Sequence, residues 1–343
     1  MRLHQWAYLD AVNFLSKFTF KRGYNAWLIW LSFYVSKFRG KAIHWGLPVS
    51  VSIEPTTSCN LRCPECPSGL RQFTRPTGML AMDDYQMVVN QLHKQLWYLI
   101  FYFQGEPYLN KNLFEMIKYA VQHKIYTATS TNGHYLTDEN AKATVTSGLD
   151  RLIISIDGLT QEVYEQYRIG GALNKVIEGT KRLVAWKQKL KSKTPHIIFQ
   201  FLVVKPNEHQ INELYQLANT LGVNEVKLKT AQVYDYKHGN KLIPSIEKYA
   251  RYVRAADGTY YLKNEMINHC WKMWHSCVIT WNGTVVPCCF DKDATHPLGN
   301  LKNQSFKTLW QSASYNQFRQ DVIGTRSNID ICANCSEGTK VWV

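Results

Sequence analysis

Three cysteines in one short segment, Cys59, Cys63 and Cys66, constrain this chain more than any other feature. They follow the apolar run 51–54, which predicts a buried strand with the three thiols in the loop after it. Three thiolates this close in sequence can bind a soft metal or an iron–sulfur cluster. A cluster of four irons held by three cysteines leaves one iron open to a small molecule.

The remaining cysteines all lie near the C-terminal end, at Cys270, Cys277, Cys288, Cys289, Cys332 and Cys335. The chain of 343 residues therefore has nine cysteines in tight groups, and we find no signal peptide at its start. An odd number of grouped cysteines indicates metal ligation in a reducing compartment more than a disulfide framework. We therefore expect a cytoplasmic protein.

The first 50 residues are basic and rich in aromatic side chains. They hold seven Lys or Arg against the single acid Asp10, within a chain of net charge +14. The apolar run 26–35 is too short to span a bilayer, which needs about 20 residues. The sequence favours a helix packed against the rest of the domain, and the alternative is a peripheral helix on the inner membrane surface. No recognition motif indicates a nucleic-acid partner.

From residue 51 onward, short apolar runs alternate with helical patterns. The runs predict strands at 51–54, 97–103, 125–131, 151–156, 197–204 and 223–228. The patterns between them predict helices at about 82–95, 111–123, 137–147, 161–188 and 208–221. This alternation predicts an α/β fold, a partial (β/α)6 TIM-like barrel with parallel strands.

Outside the barrel we expect a helical N-terminal extension and a small C-terminal domain rich in cysteine. Asn282-Gly283 between two short apolar runs predicts a β-hairpin, and a helix is expected at about 305–322. The predicted division of the chain is 1–48 for the extension, 49–230 for the barrel and 231–343 for a linker with the cysteine-rich domain.

Polar or glycine-rich motifs follow four successive predicted strands. The cysteine loop comes first, followed by 104–107 (Gln-Gly-Glu-Pro), 131–133 (Thr-Asn-Gly) and Ser155. The carboxyl ends of parallel strands lie on one rim of a barrel, which is where such folds place their functional loops. We therefore expect all four motifs to lie close together.

The C-x3-C-x2-C spacing of the loop, with the Gly-Glu-Pro motif after the second strand, resembles the radical S-adenosylmethionine (radical SAM) superfamily. The resemblance covers about residues 50–230. It implies that Cys59, Cys63 and Cys66 hold a [4Fe–4S] cluster whose fourth iron binds S-adenosylmethionine. It further implies reductive cleavage of that molecule to a 5′-deoxyadenosyl radical, which removes a hydrogen atom from the substrate.

The resemblance also implies roles for residues on the rim. The cofactor ammonium is expected at Glu106 and at the backbone of its loop, and the cofactor carboxylate at Ser155 and Arg168. Asn132 stands where the family often contacts the ribose or the carboxylate. The full set of cofactor-binding residues implied is Gly105, Glu106, Pro107, Asn132, Ser155 and Arg168. Gln104 replaces a glycine that is common in the family, which matters little if its side chain points away.

The C-terminal cysteines resemble the SPASM and twitch extensions of that superfamily, which bind auxiliary iron–sulfur clusters. The pattern is Cys270-x12-Gly283-x4-Cys288 followed by Cys332-x2-Cys335. The resemblance implies one auxiliary [4Fe–4S] cluster held by those four cysteines, with Cys277 and Cys289 as alternates. A structural zinc ion is the alternative for this group. A spare thiol, Cys277 or Cys289, is a candidate hydrogen-atom donor, and the catalytic acid or base is unassigned.

The resemblance leaves the substrate class open between a peptide or protein and a small molecule, with oxidation or epimerisation as the outcome. It implies an electron donor of the flavodoxin or ferredoxin type. The alternative to an enzyme is a non-catalytic iron–sulfur electron carrier or a zinc-binding scaffold. An electron carrier would have little use for Glu106, Ser155 and Arg168 around an open iron.

Overall fold

A partial barrel of six parallel strands forms the centre of the molecule. The computed structural model describes residues 2–338. The strands pair in chain order. They are β1 (Ser50–Ile53), β2 (Tyr98–Ile100), β3 (Tyr126–Thr131), β4 (Arg151–Ser155), β5 (His196–Val203) and β6 (Glu225–Thr230). This arrangement confirms the expected α/β fold class.

Nine helices precede or separate these strands in the described residues. They are α1 (Arg2–Ser16), α2 (Phe20–Arg39), α3 (Pro67–Leu70), α4 (Met82–Leu92), α5 (Leu113–Gln122), α6 (Asp138–Thr146), α7 (Gln161–Glu165), α8 (Leu173–Lys189) and α9 (Ile211–Leu221). The single helix expected at 161–188 is wrong, because α7 ends and α8 begins separately. Gly170, with φ +77°, lies between them in a left-handed conformation that a continuous helix could not contain.

The C-terminal part extends the same sheet. Its elements are β7 (Tyr252–Arg254), β8 (Tyr260–Leu262), α10 (Lys272–His275), β9 (Ser276–Ile279), β10 (Thr284–Val286), β11 (Gly299–Asn300), α11 (Phe306–Trp310), α12 (Ala313–Thr325) and α13 (Asp330–Ala333). The expected hairpin is present as β9–β10, and β9 pairs in parallel with β1. The helix expected at 305–322 is two helices, because the Ser312 side chain caps a new start.

Helix α1 covers the amino ends of the barrel strands. The ring of Phe14 stacks on Trp97 with centroids 5.2 Å apart, and the Trp97 indole N–H donates to the Phe14 carbonyl at 3.0 Å. Arg151 at the start of β4 forms an ion pair with Asp10 of α1. Within residues 2–338, no helix has the length and apolar character needed to cross a membrane.

Candidate active site

The loop that carries the first three cysteines is held by backbone contacts with its neighbours. The Glu106 N–H donates to the Ser58 carbonyl at 2.7 Å, and the Arg62 N–H donates to the Ile169 carbonyl at 3.0 Å. Gly69 of α3 lies so close that a Cβ there would be 2.5 Å from the backbone nitrogen of Cys63. The three thiols are free and no more than partly exposed. The loop therefore has one defined path at the carboxyl end of β1.

Each of the three thiols lies near a polar side chain or backbone N–H. Burial is the main reason that the pKa of Cys59 is raised to about 11, and the Leu61 N–H lies 3.5 Å from its sulfur. The Arg168 Nη1 lies 3.8 Å from the Cys63 sulfur. The Gln104 Oε1 lies 3.8 Å from the Cys66 sulfur. The Leu61 N–H and the Arg168 guanidinium can stabilise thiolates in an otherwise buried setting, whereas the Gln104 oxygen accepts from the Cys66 thiol.

The Gln104 side chain does not point away from the cysteine loop, so its replacement of a glycine has a structural consequence here. Gln104 is only 7% exposed and its amide faces Cys66. The amide oxygen and nitrogen can exchange places by rotation, so this group can present an N–H to a thiolate. A glycine at this position would offer no such contact.

Gly105 allows the second strand's loop to approach the cysteine loop. Its φ is +74°, and a Cβ at this position would lie 2.2 Å from the Thr56 carbonyl oxygen and 2.8 Å from that of Ser58. The Gly105 N–H donates to the Ser68 hydroxyl at 2.8 Å. Only glycine combines this backbone conformation with this close approach. The two loops are thereby locked together.

Glu106 is a buried carboxylate that lacks a cationic partner among residues 2–338. One oxygen accepts from the Thr131 hydroxyl at 2.8 Å and from the Tyr108 N–H at 3.3 Å, and the other accepts from the Asn132 N–H at 2.7 Å. Burial raises the pKa of Glu106 to about 7 against the effect of these bonds. A carboxylate with two oxygens can accept about four hydrogen bonds, so capacity for one more donor remains. Pro107 follows as the first residue of a short 3₁₀ helix that Glu106 caps.

The other rim residues have different surroundings. The Asn132 amide donates to Asn60 at 2.8 Å and lies 3.9 Å from the Cys59 sulfur, so it supports the cysteine loop. Arg168 is paired with Asp157 through its Nε. Ser155 is 6% exposed at the end of β4, and its hydroxyl makes no hydrogen bond within residues 2–338. Compared with Asn132 and Arg168, Ser155 therefore has the side chain that is most available to bind a ligand.

Four C-terminal thiols form a second group. Burial, followed by repulsion from Cys289, Cys270 and Cys335, raises the pKa of the Cys288 thiol. Burial is also the main reason that the pKa of Cys335 is raised to about 12, with Cys270 and Cys332 contributing. The four thiols are thus close enough to influence one another's charge.

The two spare cysteines differ from this group and from each other. Cys277 is 2% exposed on β9 and, besides burial, only the charge of Arg319 affects its pKa. Cys289 is exposed and directly follows Cys288. No other cysteine affects the pKa of Cys277, which places Cys277 apart from the group, and of the two spare thiols only Cys289 is accessible.

Three supporting residues were missed at the sequence level. Ser68 and Gly69 hold the loops of Gly105 and Cys63, and their only sequence signal is their position directly after Cys66 and Pro67. The buried Arg326 guanidinium lies 3.5 Å from the Cys335 sulfur. Nothing in the sequence separates Arg326 from the other basic residues of the chain.

The donor sets fit iron–sulfur clusters. Among residues 2–338, no group of three or more His, Cys, Asp or Glu side chains is placed to hold a single metal ion. A four-iron cluster takes one thiolate on each iron, so three cysteines in the first group and four in the second suit such clusters. The spare capacity of Glu106 fits a ligand ammonium beside the first group. The arrangement therefore suits a soft-metal centre with a ligand ammonium beside it.

Models of known families match most of the chain. The radical SAM superfamily matches residues 53–218, and the SPASM iron–sulfur cluster-binding domain matches residues 270–336. This chain is a radical SAM enzyme with a SPASM domain. Its cofactors are a [4Fe–4S] cluster with S-adenosylmethionine and auxiliary iron–sulfur, which the SPASM domain binds. The alternative of an electron carrier or zinc scaffold has no support.

Two relatives are similar over most of their length. A tungsten-containing aldehyde ferredoxin oxidoreductase cofactor-modifying protein of Pyrococcus furiosus is 27% identical over 314 residues, covering 83% of this chain and 86% of the relative. The PqqA peptide cyclase of Gluconobacter oxydans is 24% identical over 316 residues, covering 86% and 84%.

Solved structures share the fold of this radical SAM protein. BtrN in complex with AdoMet and 2-DOIA matches with TM-score 0.55 and 20% identity, covering 86% of this chain and 95% of BtrN. SuiB of Streptococcus suis bound to S-adenosylmethionine matches with TM-score 0.62 and 14% identity, covering 88% and 73%. SuiB bound to the precursor peptide SuiA also matches, with TM-score 0.61.

Proposed function

We propose that this enzyme removes a hydrogen atom from a substrate bound inside the barrel. The observation that carries the proposal is a cavity of about 860 Å³ that opens among the barrel strands and is bordered by Cys288 and Cys289. A cavity of this size suits a small molecule or one side chain of a peptide. Ser52 of β1 and Ile100 of β2 line the cavity, so the substrate would lie inside the barrel beside the SPASM cysteines.

The rim residues would bind and orient the cofactor. Cys59, Cys63 and Cys66 would hold the cluster, and when bound, the cluster with S-adenosylmethionine supplies the radical that removes hydrogen. Glu106 would accept the ammonium, together with the backbone of Gly105 and Pro107. Ser155 would donate to the carboxylate. Asn132 and Arg168 would act chiefly by holding the cysteine loop, since Asn132 donates to Asn60 and the Arg168 guanidinium lies 3.8 Å from the Cys63 sulfur.

The SPASM cysteines favour an oxidative outcome. Cys270, Cys288, Cys332 and Cys335 are the proposed ligands of one auxiliary cluster, which supplies an electron acceptor beside the cavity when bound. Cys289 lines the same cavity with an exposed thiol, and it is the better candidate for a hydrogen-atom donor if the reaction is redox-neutral.

Replacing Cys332 with alanine is expected to remove the auxiliary cluster alone. Iron in the anaerobically reconstituted protein should fall from about eight to about four per chain. Cleavage of S-adenosylmethionine should continue, because the rim cysteines are untouched. Iron analysis and chromatography of 5′-deoxyadenosine measure both results.

Cys277→Ala is the matched control, since that thiol is buried but lies outside the proposed ligand set. It should keep about eight irons. Loss of iron in the Cys277 variant and not in the Cys332 variant would contradict the ligand set.

Two partners complete the proposal. A reduced flavodoxin or ferredoxin would supply the electron, and the exposed Arg62 and Arg71 beside the cysteine loop suit an acidic carrier. A peptide is the second candidate substrate, and the similarity to the PqqA peptide cyclase supports it.

Helix α2 supports a further contact, with an anionic membrane surface. Its buried face is largely polar or small, with only two large apolar side chains: Arg22, Asn25, Ile29, Ser32, Phe33 and Ser36. Its exposed face is aromatic: Phe20, Tyr24, Trp27, Trp30 and Phe38. A helix in water normally has the opposite arrangement. Exposed Lys21, Lys37 and Lys41 flank this aromatic face, which is the composition of helices that lie in an anionic membrane interface.

The double variant Trp27→Glu with Trp30→Glu is expected to lose binding to vesicles. The two rings are 51% and 40% exposed, so the fold should tolerate the change. Sedimentation with vesicles of phosphatidylglycerol and phosphatidylcholine should show binding at least roughly tenfold weaker than that of the unchanged protein.

Tyr261→Glu serves as the control, because Tyr261 is 53% exposed on β8, outside the aromatic face. It should bind vesicles as the unchanged protein does. Equal binding by all three proteins, or no preference for anionic over neutral vesicles, would refute the membrane contact.

A further inference from the structure

The cavity within the barrel has an apolar end formed by the N-terminal helices. Ala11, Phe14 and Leu15 of α1 and Ala26 of α2 line this end, and Asp10 of α1, which also lines the cavity, forms an ion pair with Arg151. Leu15 lines the cavity and is also 60% exposed to solvent. The cavity therefore reaches the surface beside α1. This mouth is next to the helix that carries the aromatic face.

The other end of the cavity is polar and basic. Lys227 and Lys272 line it together with Cys288 and Cys289. The Lys227 ammonium lies 3.4 Å from Glu225, and the Lys272 ammonium lies 3.0 Å from Glu337. Each ammonium has three donors and only one carboxylate partner here, so both keep donors for a further anion.

We propose that this cavity binds a single-chain amphiphile with an anionic head group. The apolar chain would lie against Phe14 and Leu15, and the head would lie at Lys227 and Lys272 beside the SPASM cysteines. The chemistry of the head is that of a phosphate or a carboxylate. As the substrate class of the enzyme, this inference rests on the proposed function, because that function places the reacting substrate in this cavity.

The position of the mouth is a second reason for this ligand class. An amphiphile held in a bilayer has to move its chain from one apolar environment to another. Because the mouth at Leu15 is next to the aromatic face of α2, the chain can leave the lipid without full exposure to water. Transfer of each methylene into water is unfavourable, so a long chain favours such a route.

Titration calorimetry of the full chain below the micelle concentration of each probe tests the inference. The probes are dodecyl phosphate, dodecanoate, dodecanol and ethyl phosphate. Dodecyl phosphate or dodecanoate should bind at least a hundredfold more tightly than ethyl phosphate, because most of the affinity comes from burial of the chain. The tighter of the two identifies the head group. Dodecanol should bind more weakly than the tighter anion.

Three variants locate the site. Leu15→Glu should weaken binding of the tighter anionic probe at least tenfold, whereas Val12→Glu should leave it unchanged. Val12 is 45% exposed on the same helix but does not line the cavity, so it controls for added charge on α1. Lys227→Gln should weaken binding of the anionic probe and leave that of dodecanol unchanged.

Equal effects of Leu15→Glu and Val12→Glu, or equal affinity for dodecyl and ethyl phosphate, would overturn the inference. Its failure is separable from failure of the proposed function, because these titrations need no cluster or radical. Cleavage of S-adenosylmethionine without amphiphile binding would contradict only the ligand class. Binding without cleavage would contradict only the proposed reaction.

Discussion

Replacing Cys63 with alanine is expected to abolish cleavage of S-adenosylmethionine. Cys63 is the most deeply held of the three loop cysteines, with 6% exposure, and its backbone packs on Gly69. Its sulfur lies beside the Arg168 guanidinium, so no other thiolate can replace it there. A cluster left with two cysteines is not retained, and formation of 5′-deoxyadenosine should fall at least roughly a hundredfold.

Iron content distinguishes this effect from unfolding. The Cys63 variant should keep about four irons per chain, because the SPASM cysteines remain. Its circular dichroism spectrum should match that of the unchanged protein. Full cleavage activity in the Cys63 variant would show that the loop does not hold the catalytic cluster.

Gly105→Ala is expected to have the second largest effect. The new Cβ would lie 2.2 Å from the Thr56 carbonyl oxygen, so one of the two loops has to move by about 1 Å. The movement displaces Glu106 from the cysteine loop. A shift of that size between cofactor-binding groups is expected to lower 5′-deoxyadenosine formation by about a hundredfold.

Gly40→Ala separates backbone strain from the steric contact. Gly40 has φ +62°, similar to the +74° of Gly105, but a Cβ added to Gly40 would meet nothing within 4 Å. Both variants should lose about 1–2 kcal/mol of stability from the left-handed conformation, measured by denaturant unfolding. Only Gly105→Ala should lose cleavage. A similar loss of cleavage in both variants would show that the close approach at Gly105 is unimportant.

The position of the rim could be predicted from the sequence. The cysteine loop, Glu106, Asn132 and Ser155 each follow a strand, and parallel strands bring such positions to one edge. Hydrophobic periodicity predicts where the strands lie in the sequence. Parallel pairing of those strands is then sufficient to bring these residues to one edge. The partial barrel was predictable for the same reason.

The contacts made by individual side chains were not predictable in this way. Arg168 lies on the segment between α7 and α8, and its partner Asp157 is set by how that segment folds back. Gln104 faces Cys66 because the positive φ of Gly105 turns the loop. Both depend on loop conformation, on which hydrophobic periodicity gives no information.

The aromatic face of α2 shows another limit of sequence patterns. Its apolar residues at helical spacing favour a face packed in the core, since most such faces are buried. In the structure, Asn25 and Ser36 are on the buried side and hydrogen-bond to the backbone of Leu47 and Ile43. Which face a helix buries depends on its partners, and those of α2 include Trp271 and Trp274, which contact Phe33 and lie far away in the sequence.

The most direct test of the central claim is a single assay on the anaerobically reconstituted full chain. The protein is reduced with dithionite in the presence of S-adenosylmethionine, and 5′-deoxyadenosine is measured together with iron and acid-labile sulfide. We predict about eight irons and eight sulfides per chain, with 5′-deoxyadenosine formed over time. Zinc without acid-labile sulfide, and no 5′-deoxyadenosine, would contradict the assignment.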